Sequence, residues 1–163
     1  MEHTLSATVA LMAAPADALA RFRDNPATWL PPPLRTVSAG DWQVYLWAGQ
    51  VGVLVDCAVG DALPTGRATT RRVRWRPLHG DADVPPSRWV PELDGDMVLH
   101  DRGDGVAELT LTGVYTPPGG TAGALADRLL LGRLARRTAR RFLMDVDDRL
   151  AQAAWAARPA AAN

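Results

Sequence analysis

The stretch Leu109-Thr-Leu-Thr-Gly-Val-Tyr115 alternates apolar and polar residues and stops at Pro117-Pro118-Gly119-Gly120. Alternation with a period of two predicts a strand with one buried face, and the proline–glycine run ends that strand. A helical pattern then continues from about residue 123 to residue 157. Its apolar positions fall on one broad stripe at about 100° per residue. We therefore expect a strand that leads into one long closing helix, an arrangement in which a sheet wraps around a helix.

The rest of the chain predicts one strand, two short helices and then further strands. Pro15 suits the first turn of one short helix, and Asn25-Pro26 supplies a cap and a first residue for the other. Since the connections between strands are short, the sheet should be antiparallel. The predicted strands span 3–12, 34–39, 42–48, 51–59, 67–76, 89–101 and 105–116.

We therefore predict an α+β fold with a seven-stranded antiparallel sheet wrapped around a long C-terminal helix. Residues 1–157 should form a single domain, with 158–163 as a flexible tail. Charges on two strands agree with this layout. Arg72, Arg74 and Arg76 share one strand face, and the next strand carries acidic residues at 92, 94 and 96 on one face. Neighbouring antiparallel strands would set these rows beside each other on the solvent side.

Composition excludes several classes of function. The chain has 163 residues, 47% of them hydrophobic, and no net charge, so no overall field attracts nucleic acid or an anionic membrane. No lysine occurs, which excludes a Schiff-base lysine and a P-loop lysine. A single cysteine, Cys57, forbids an internal disulfide and fits a reducing compartment. With no apolar run of spanning length and no basic leader at Met1, we expect a cytoplasmic protein without stable membrane insertion.

The predicted long helix has a narrow middle. Large apolar residues occupy both ends of its apolar stripe, whereas Gly132, Ala135 and Ala139 occupy the centre. A glycine in a helix costs about 1 kcal/mol relative to alanine, so its presence requires a reason. Either the helix passes close to the sheet there, or the small side chains leave a void that a ligand fills.

Arginines lie on two sides of this helix. Arg128 and Arg136 fall within the apolar stripe, where each either reaches the rim or lines the cavity and meets an acidic group. The arginines at 133, 137, 140 and 141 project away from the stripe. They form a solvated face or, alternatively, bind phosphate or a lipid surface.

Other polar and aromatic residues are predicted to face the core. Tyr115 shares a strand face with Leu111, and Arg71 shares one with Trp75. Trp89 is a further wall candidate, since amphipathic aromatics suit a pocket or its rim. The three histidines lie on different segments without metal-ligand spacing. No nucleotide, metal or nucleophile motif occurs, so we predict no cofactor and no metal.

Four local motifs carry a resemblance to a known superfamily. They are Val73-Arg-Trp75-Arg-Pro77, Val90-Pro-Glu-Leu-Asp-Gly95, the strand–turn–helix run from Leu109 to Asp127, and Leu131-Gly-Arg-x-Ala135. Together with the element order, they resemble the helix-grip fold of the START-like or SRPBCC superfamily, in particular its bacterial polyketide cyclase/dehydrase-like branch. The resemblance covers nearly the whole chain. It implies a Bet v 1-like fold and a hydrophobic cavity between sheet and helix.

We carry three hypotheses about function. In the first, the cavity binds a small hydrophobic or aromatic molecule. Apolar residues would form the walls of this cavity, and polar residues would hold one end of the molecule. In the second, a cyclase or aromatase-like enzyme uses the same cavity. In the third, a filled core supports a protein-interaction module. The sequence leaves the ligand and the oligomeric state open. The candidate lining residues are Arg71, Trp75, Trp89, Leu111, Tyr115, Arg128, Gly132, Ala135, Arg136 and Ala139.

Overall fold

The computed structural model describes residues 3–32, 35–78, 90–116 and 126–156. Eight strands and two α-helices make up this part of the chain, together with a short 3₁₀ helix at Pro26–Thr28. In chain order the elements are β1 (His3–Ala10), α1 (Pro15–Arg23), β2 (Arg35–Ser38), β3 (Asp41–Ala48), β4 (Val51–Val59), β5 (Leu63–Thr65), β6 (Ala68–Pro77), β7 (Glu92–Asp101), β8 (Ala107–Thr116) and α2 (Ala126–Ala156). The loop predicted between β6 and β7 and the predicted tail at 158–163 lie largely outside the described residues.

One antiparallel sheet has the strand order β1-β8-β7-β6-β4-β3-β2, with β5 paired to β6. The helix-grip prediction is confirmed: the sheet holds one long C-terminal helix, and a short helix follows the first strand. Sequence patterns predicted seven of the eight strands. β5 was missed because it has only three residues, all exposed, and therefore carries no alternation of buried and exposed positions.

Local signals at the second short helix are confirmed. The Asn25 side chain accepts a hydrogen bond from the Ala27 backbone N–H at 3.0 Å, and Pro26 occupies the first helical position. This cap satisfies one of the backbone donors that a helix start leaves free. The segment is a single 3₁₀ turn rather than an α-helix, because the proline run that begins at Pro31 follows within a few residues.

The predicted charge rows also meet across two strands. β6 and β7 pair so that Arg72 lies opposite Asp96, and Arg74 opposite Asp94. Arg72 Nε approaches Asp94 Oδ1 at 2.7 Å, and its Nη1 lies 3.4 Å from Asp96. These side chains are about half exposed, so the pairs fix the outer face and contribute little to stability.

The backbones of β7 and β8 approach each other closely where two glycines meet on the inner face of the sheet. Gly95 and Gly113 lie directly opposite each other in β7 and β8, both in inward-facing positions. A Cβ on Gly113 would stand 2.5 Å from the Asp94 carbonyl oxygen, and one on Gly95 would stand 2.5 Å from that of Thr112. Only residues without a side chain permit this approach.

Candidate functional site

One row of directly opposed residues crosses the inner face of the sheet, and we call it the inner row. The strand register places its members opposite one another from β3 to β1. Four of them are large: two tryptophans, a leucine and a tyrosine. The inner row consists of Trp42, Cys57, Trp75, Leu93, Tyr115 and His3.

Helix α2 meets the inner row at two points. Near its start, a Cβ on Gly132 would stand 3.3 Å from the Tyr115 hydroxyl oxygen. Ten residues later, the Phe142 ring lies 5.2 Å from the Trp75 ring, centroid to centroid, at an interplanar angle of 59°. Ala135 and Ala139, both fully buried, lie between these two points on the helix. The part of the helix with small side chains therefore lies between its contact with Tyr115 and its contact with Trp75.

The glycine in this helix now has a structural reason. Because the Tyr115 hydroxyl lies against it, any side chain at position 132 would press on that oxygen. Close approach, one of the two explanations for Gly132, therefore applies at this position. It does not apply to Ala135 and Ala139, which are buried on α2 between the Tyr115 and Trp75 contacts. We call the region between this part of α2 and the inner-row residues Trp75, Leu93 and Tyr115 the cleft.

Two other predicted wall residues lie in the core. Trp75 is 2% exposed, and its indole Nε1 donates a hydrogen bond to the Pro91 carbonyl oxygen at 3.0 Å. It therefore offers a ligand an apolar face and no free donor. Leu111 is fully buried, but it pairs with Met97 and Ala7, two rows away from Tyr115. The Gly95–Gly113 pair lies between Leu111 and the inner row.

Arg71 holds main chain rather than a ligand. Its guanidinium donates four hydrogen bonds of 2.7–2.9 Å to the carbonyl oxygens of Phe22, Arg23, Asp24 and Gly60. Three of these carbonyls lie at the end of α1, where a helix leaves its last acceptors without intrahelical partners. Burial lowers the pKa of Arg71, while Asp61 and Asp24 oppose that shift. We therefore drop Arg71 as a candidate ligand anchor.

The remaining predicted candidates divide between surface and undescribed positions. Arg136 is exposed, so it does not enter the apolar stripe and lies on the surface of α2. The side chain of Arg128 and the whole of Trp89 lie outside the described residues. Of the ten predicted lining residues, the structure brings together Trp75, Tyr115, Gly132, Ala135 and Ala139.

His3 is a residue of the site that sequence patterns missed. It pairs with Tyr115 across β1 and β8, and the two ring centroids lie 5.5 Å apart. Residues 3–10 alternate in burial, with odd positions turned inward, which is the face that Tyr115 occupies on its own strand. The alternation of β1 was visible in the sequence, but the pairing of residues 112 positions apart was not.

Two further titratable groups are buried, and neither is assigned a role in the cleft. Burial, followed by the charge of Asp41, raises the pKa of the Cys57 thiol to about 12, so this member of the inner row stays protonated. Asp147 on α2 accepts a hydrogen bond from the Met12 backbone N–H at 3.1 Å, and burial raises its pKa. No group of three His, Cys, Asp or Glu side chains suited to a metal occurs within the described ranges.

Comparisons with known proteins identify the fold. No protein-family model matches the chain, and no curated protein matches it. Solved structures do. A START superfamily protein from Mycobacterium smegmatis superposes with a TM-score of 0.57 at 12% identity, covering 93% of this chain and 99% of that one. The Zhui aromatase/cyclase from Streptomyces sp. R1128 gives 0.55 at 13% identity, covering 100% and 99%.

A norcoclaurine synthase point mutant from Thalictrum, in complex with a transition-state analogue, gives a TM-score of 0.53 at 8% identity and covers 96% of both chains. At such identities the likeness is one of fold. No helix in the described part of the chain has an apolar stretch that could cross a membrane. The chain has the helix-grip fold of the START-like, or SRPBCC, superfamily.

Proposed function

We propose that the protein binds a small hydrophobic or aromatic molecule in the cleft between the inner row and the middle of α2. The observation that carries this proposal is the small-residue middle of α2 between two aromatic contacts. Ala135 and Ala139 are buried between the Tyr115 and Trp75 contacts of α2, and Leu93 lies between Trp75 and Tyr115 in the sheet register. A binding site of this kind is mostly apolar with one or two placed polar groups.

Tyr115 is the polar group of this proposal. The residue is 6% exposed and its hydroxyl is directed at the helix. A phenol can both donate and accept one hydrogen bond, so it can hold a ligand carbonyl or hydroxyl at one end of the cleft. The Trp75 face, with its N–H already bonded to Pro91, suits the apolar or aromatic body of the ligand.

The fold supports the same proposal. The neighbours include an aromatase/cyclase and a norcoclaurine synthase mutant in complex with a transition-state analogue. From these neighbours we take only the general class of ligand proposed for this chain, a small organic molecule held between sheet and helix. Neither the ligand nor a reaction is transferred.

A volume-filling substitution tests the proposal and separates it from a filled core. In Ala135→Leu the new side chain would enter the cleft, whereas Ala156→Leu makes the same change at an exposed position of the same helix. Binding of the neutral probe N-phenyl-1-naphthylamine, followed by its fluorescence, should be lost in Ala135→Leu and retained in Ala156→Leu. If the proposal holds, thermal stability should change little in both, because the leucine at position 135 would occupy the space that otherwise admits the ligand.

A filled core gives the opposite result. Extra methylenes in a well-packed core cost about 1–3 kcal/mol, so Ala135→Leu would then unfold at a clearly lower temperature, and the wild-type protein would not bind the probe. Native mass spectrometry of protein purified from its own host supplies the ligand itself. A retained organic molecule that Ala135→Leu fails to retain identifies the occupant of the cleft.

Catalysis in the same cleft is the second candidate, and the His3–Tyr115 contact favours it. An imidazole beside a phenol provides two groups that can transfer protons, and their rings lie 5.5 Å apart. Incubation of the protein with the molecule recovered from the host distinguishes the two functions. A carrier returns the molecule unchanged by mass and chromatography, whereas an enzyme converts it, and conversion should fall in both His3→Ala and Tyr115→Phe.

A further inference from the structure

A groove on the outside of the molecule lies between the β3–β4 turn and one face of α2. Its volume is about 330 Å³, at the lower end of the range for small-molecule sites. We call it the arginine groove, and it is separate from the cleft because its α2 residues point away from the inner row. It is lined by Trp47, Gly49, Arg137, Arg140, Arg141 and Met144.

Helical spacing brings the cationic side of this groove together. Positions 137, 140, 141 and 144 are separated by three, four and seven residues, so they form one stripe along the helix surface. All four side chains are exposed. No acidic residue occurs in the sequence between Asp127 and Asp145. The groove therefore concentrates positive charge on an otherwise neutral protein.

Three guanidiniums at this spacing repel one another. Like charges three and four residues apart destabilise a helix, and within the described part of the chain only Arg141 of the three makes an ion pair, with Asp145 at 3.0 Å. A bound anion would remove this repulsion. Guanidinium groups favour phosphate and carboxylate because they offer paired, planar donors to both.

The groove also contains two apolar residues, Trp47 on the β3–β4 side and Met144 at the end of the α2 stripe. The Trp47 side chain is 41% exposed and that of Met144 is 46% exposed, which is unusual for residues of this size. Gly49, with a φ of +68°, makes the tight turn that follows Trp47. The occupant should therefore combine an anionic group with a flat apolar part that packs on the indole.

We propose that the arginine groove binds a small organic anion, a phosphate or carboxylate attached to an aromatic or apolar body, independently of the cleft. The anion would lie between Arg137 and Arg140, and the apolar body against Trp47 and Met144. Neither the two arginines nor the two apolar residues belong to the cleft. The test of this proposal is therefore independent of the test of the proposed function.

Isothermal titration with 1-naphthyl phosphate tests this site. The double variant Arg137→Gln/Arg140→Gln should weaken binding at least tenfold, since it removes the charged hydrogen bonds of two guanidiniums to the anion. The matched control is Arg74→Gln/Arg76→Gln on the exposed face of β6, which changes net charge equally and should leave affinity within twofold. The neutral analogue 1-naphthol should bind at least tenfold more weakly than the phosphate, and Ala135→Leu should bind the phosphate normally.

Several results would overturn the proposal. The first is a groove variant that binds 1-naphthyl phosphate as tightly as wild type does, and the second is a β6 control that loses as much affinity as the groove variant. The third is 1-naphthol binding as tightly as 1-naphthyl phosphate. The fourth is that 1-naphthyl phosphate does not bind at millimolar concentration. Sedimentation with phosphatidylglycerol vesicles in the absence of soluble binding would instead identify a membrane surface, and would also overturn it. The single variants Arg137→Gln and Arg140→Gln, each expected to lose part of the affinity, give the same decision if the double variant does not fold.

Discussion

Replacing Gly113 with alanine should destabilise the protein far more than a glycine-to-alanine change normally does. The new Cβ would stand 2.5 Å from the Asp94 carbonyl oxygen and 2.6 Å from the Gly95 Cα. Both distances fall nearly an ångström short of ordinary contact, and both partners are main chain, which cannot rotate away. Overpacking of this kind costs about 1–3 kcal/mol, and we expect the upper end of that range.

The assay is thermal unfolding followed by circular dichroism, with Gly52→Ala as the matched control. At Gly52 a Cβ would meet the Trp47 ring at 3.5 Å, an ordinary contact. For a chain of this size about 1 kcal/mol corresponds to 2–4 °C, so Gly113→Ala should lower Tm by about 6–12 °C and Gly52→Ala by about 2 °C at most. Equal Tm values for the two variants would refute the close backbone approach of β7 and β8 at this position.

A double-mutant cycle probes the same close approach from both strands. Gly95→Ala should resemble Gly113→Ala, because its Cβ would meet the Thr112 carbonyl oxygen at 2.5 Å. Once the strands have separated to accept one methyl group, the second should cost less. The double variant should therefore lose less stability than the sum of the two single losses, whereas additive losses would mean that the two glycines act independently.

Three further predictions concern buried polar groups. Arg71→Met should lower the free energy of unfolding by about 3 kcal/mol in urea denaturation, because the four carbonyl oxygens around the end of α1 lose their donor; a loss below about 1 kcal/mol would contradict this role. Asp147→Asn should become more stabilising relative to wild type as pH rises from 4 to 7. Burial raises the pKa of Asp147, so the folded state binds its proton more tightly than the unfolded state, and wild-type stability falls as pH rises through that window; a difference that is flat with pH would refute it. The Cys57 thiol, with a pKa of about 12, should react with Ellman's reagent at pH 8 only when denaturant is added, and rapid reaction of the folded protein would contradict its burial.

Local patterns predicted the elements because each one is specified by neighbouring residues. The alternation of Leu109 to Tyr115 and the cap at Asn25 both act within a few positions. Even the charge rows of β6 and β7 could be predicted, because the two strands are sequential neighbours and each row has a period of two. For the same reason the fold class followed from the sequence.

The site depended on contacts that no local pattern encodes. Arg71 was correctly placed on an inward face, but the carbonyl oxygens it binds belong to residues 11 to 49 positions away. The His3–Tyr115 pair joins the first and last strands, and the Gly95–Gly113 pair depends on register. Periodicity indicates which way a residue faces; register and packing determine what it faces.

The two proposed sites differ in charge, and that difference predicts which ligands each can take. The described polar side chains at the cleft include the Tyr115 phenol and the His3 imidazole, and the nearby guanidinium of Arg71 is already bonded to main chain. An anion in the cleft would lose hydration without gaining a free guanidinium as its partner, which is unfavourable. The arginine groove offers the reverse: three guanidiniums at the surface beside an exposed indole. A neutral naphthalene derivative and a naphthyl phosphate should therefore bind together without competition, one on each side of α2.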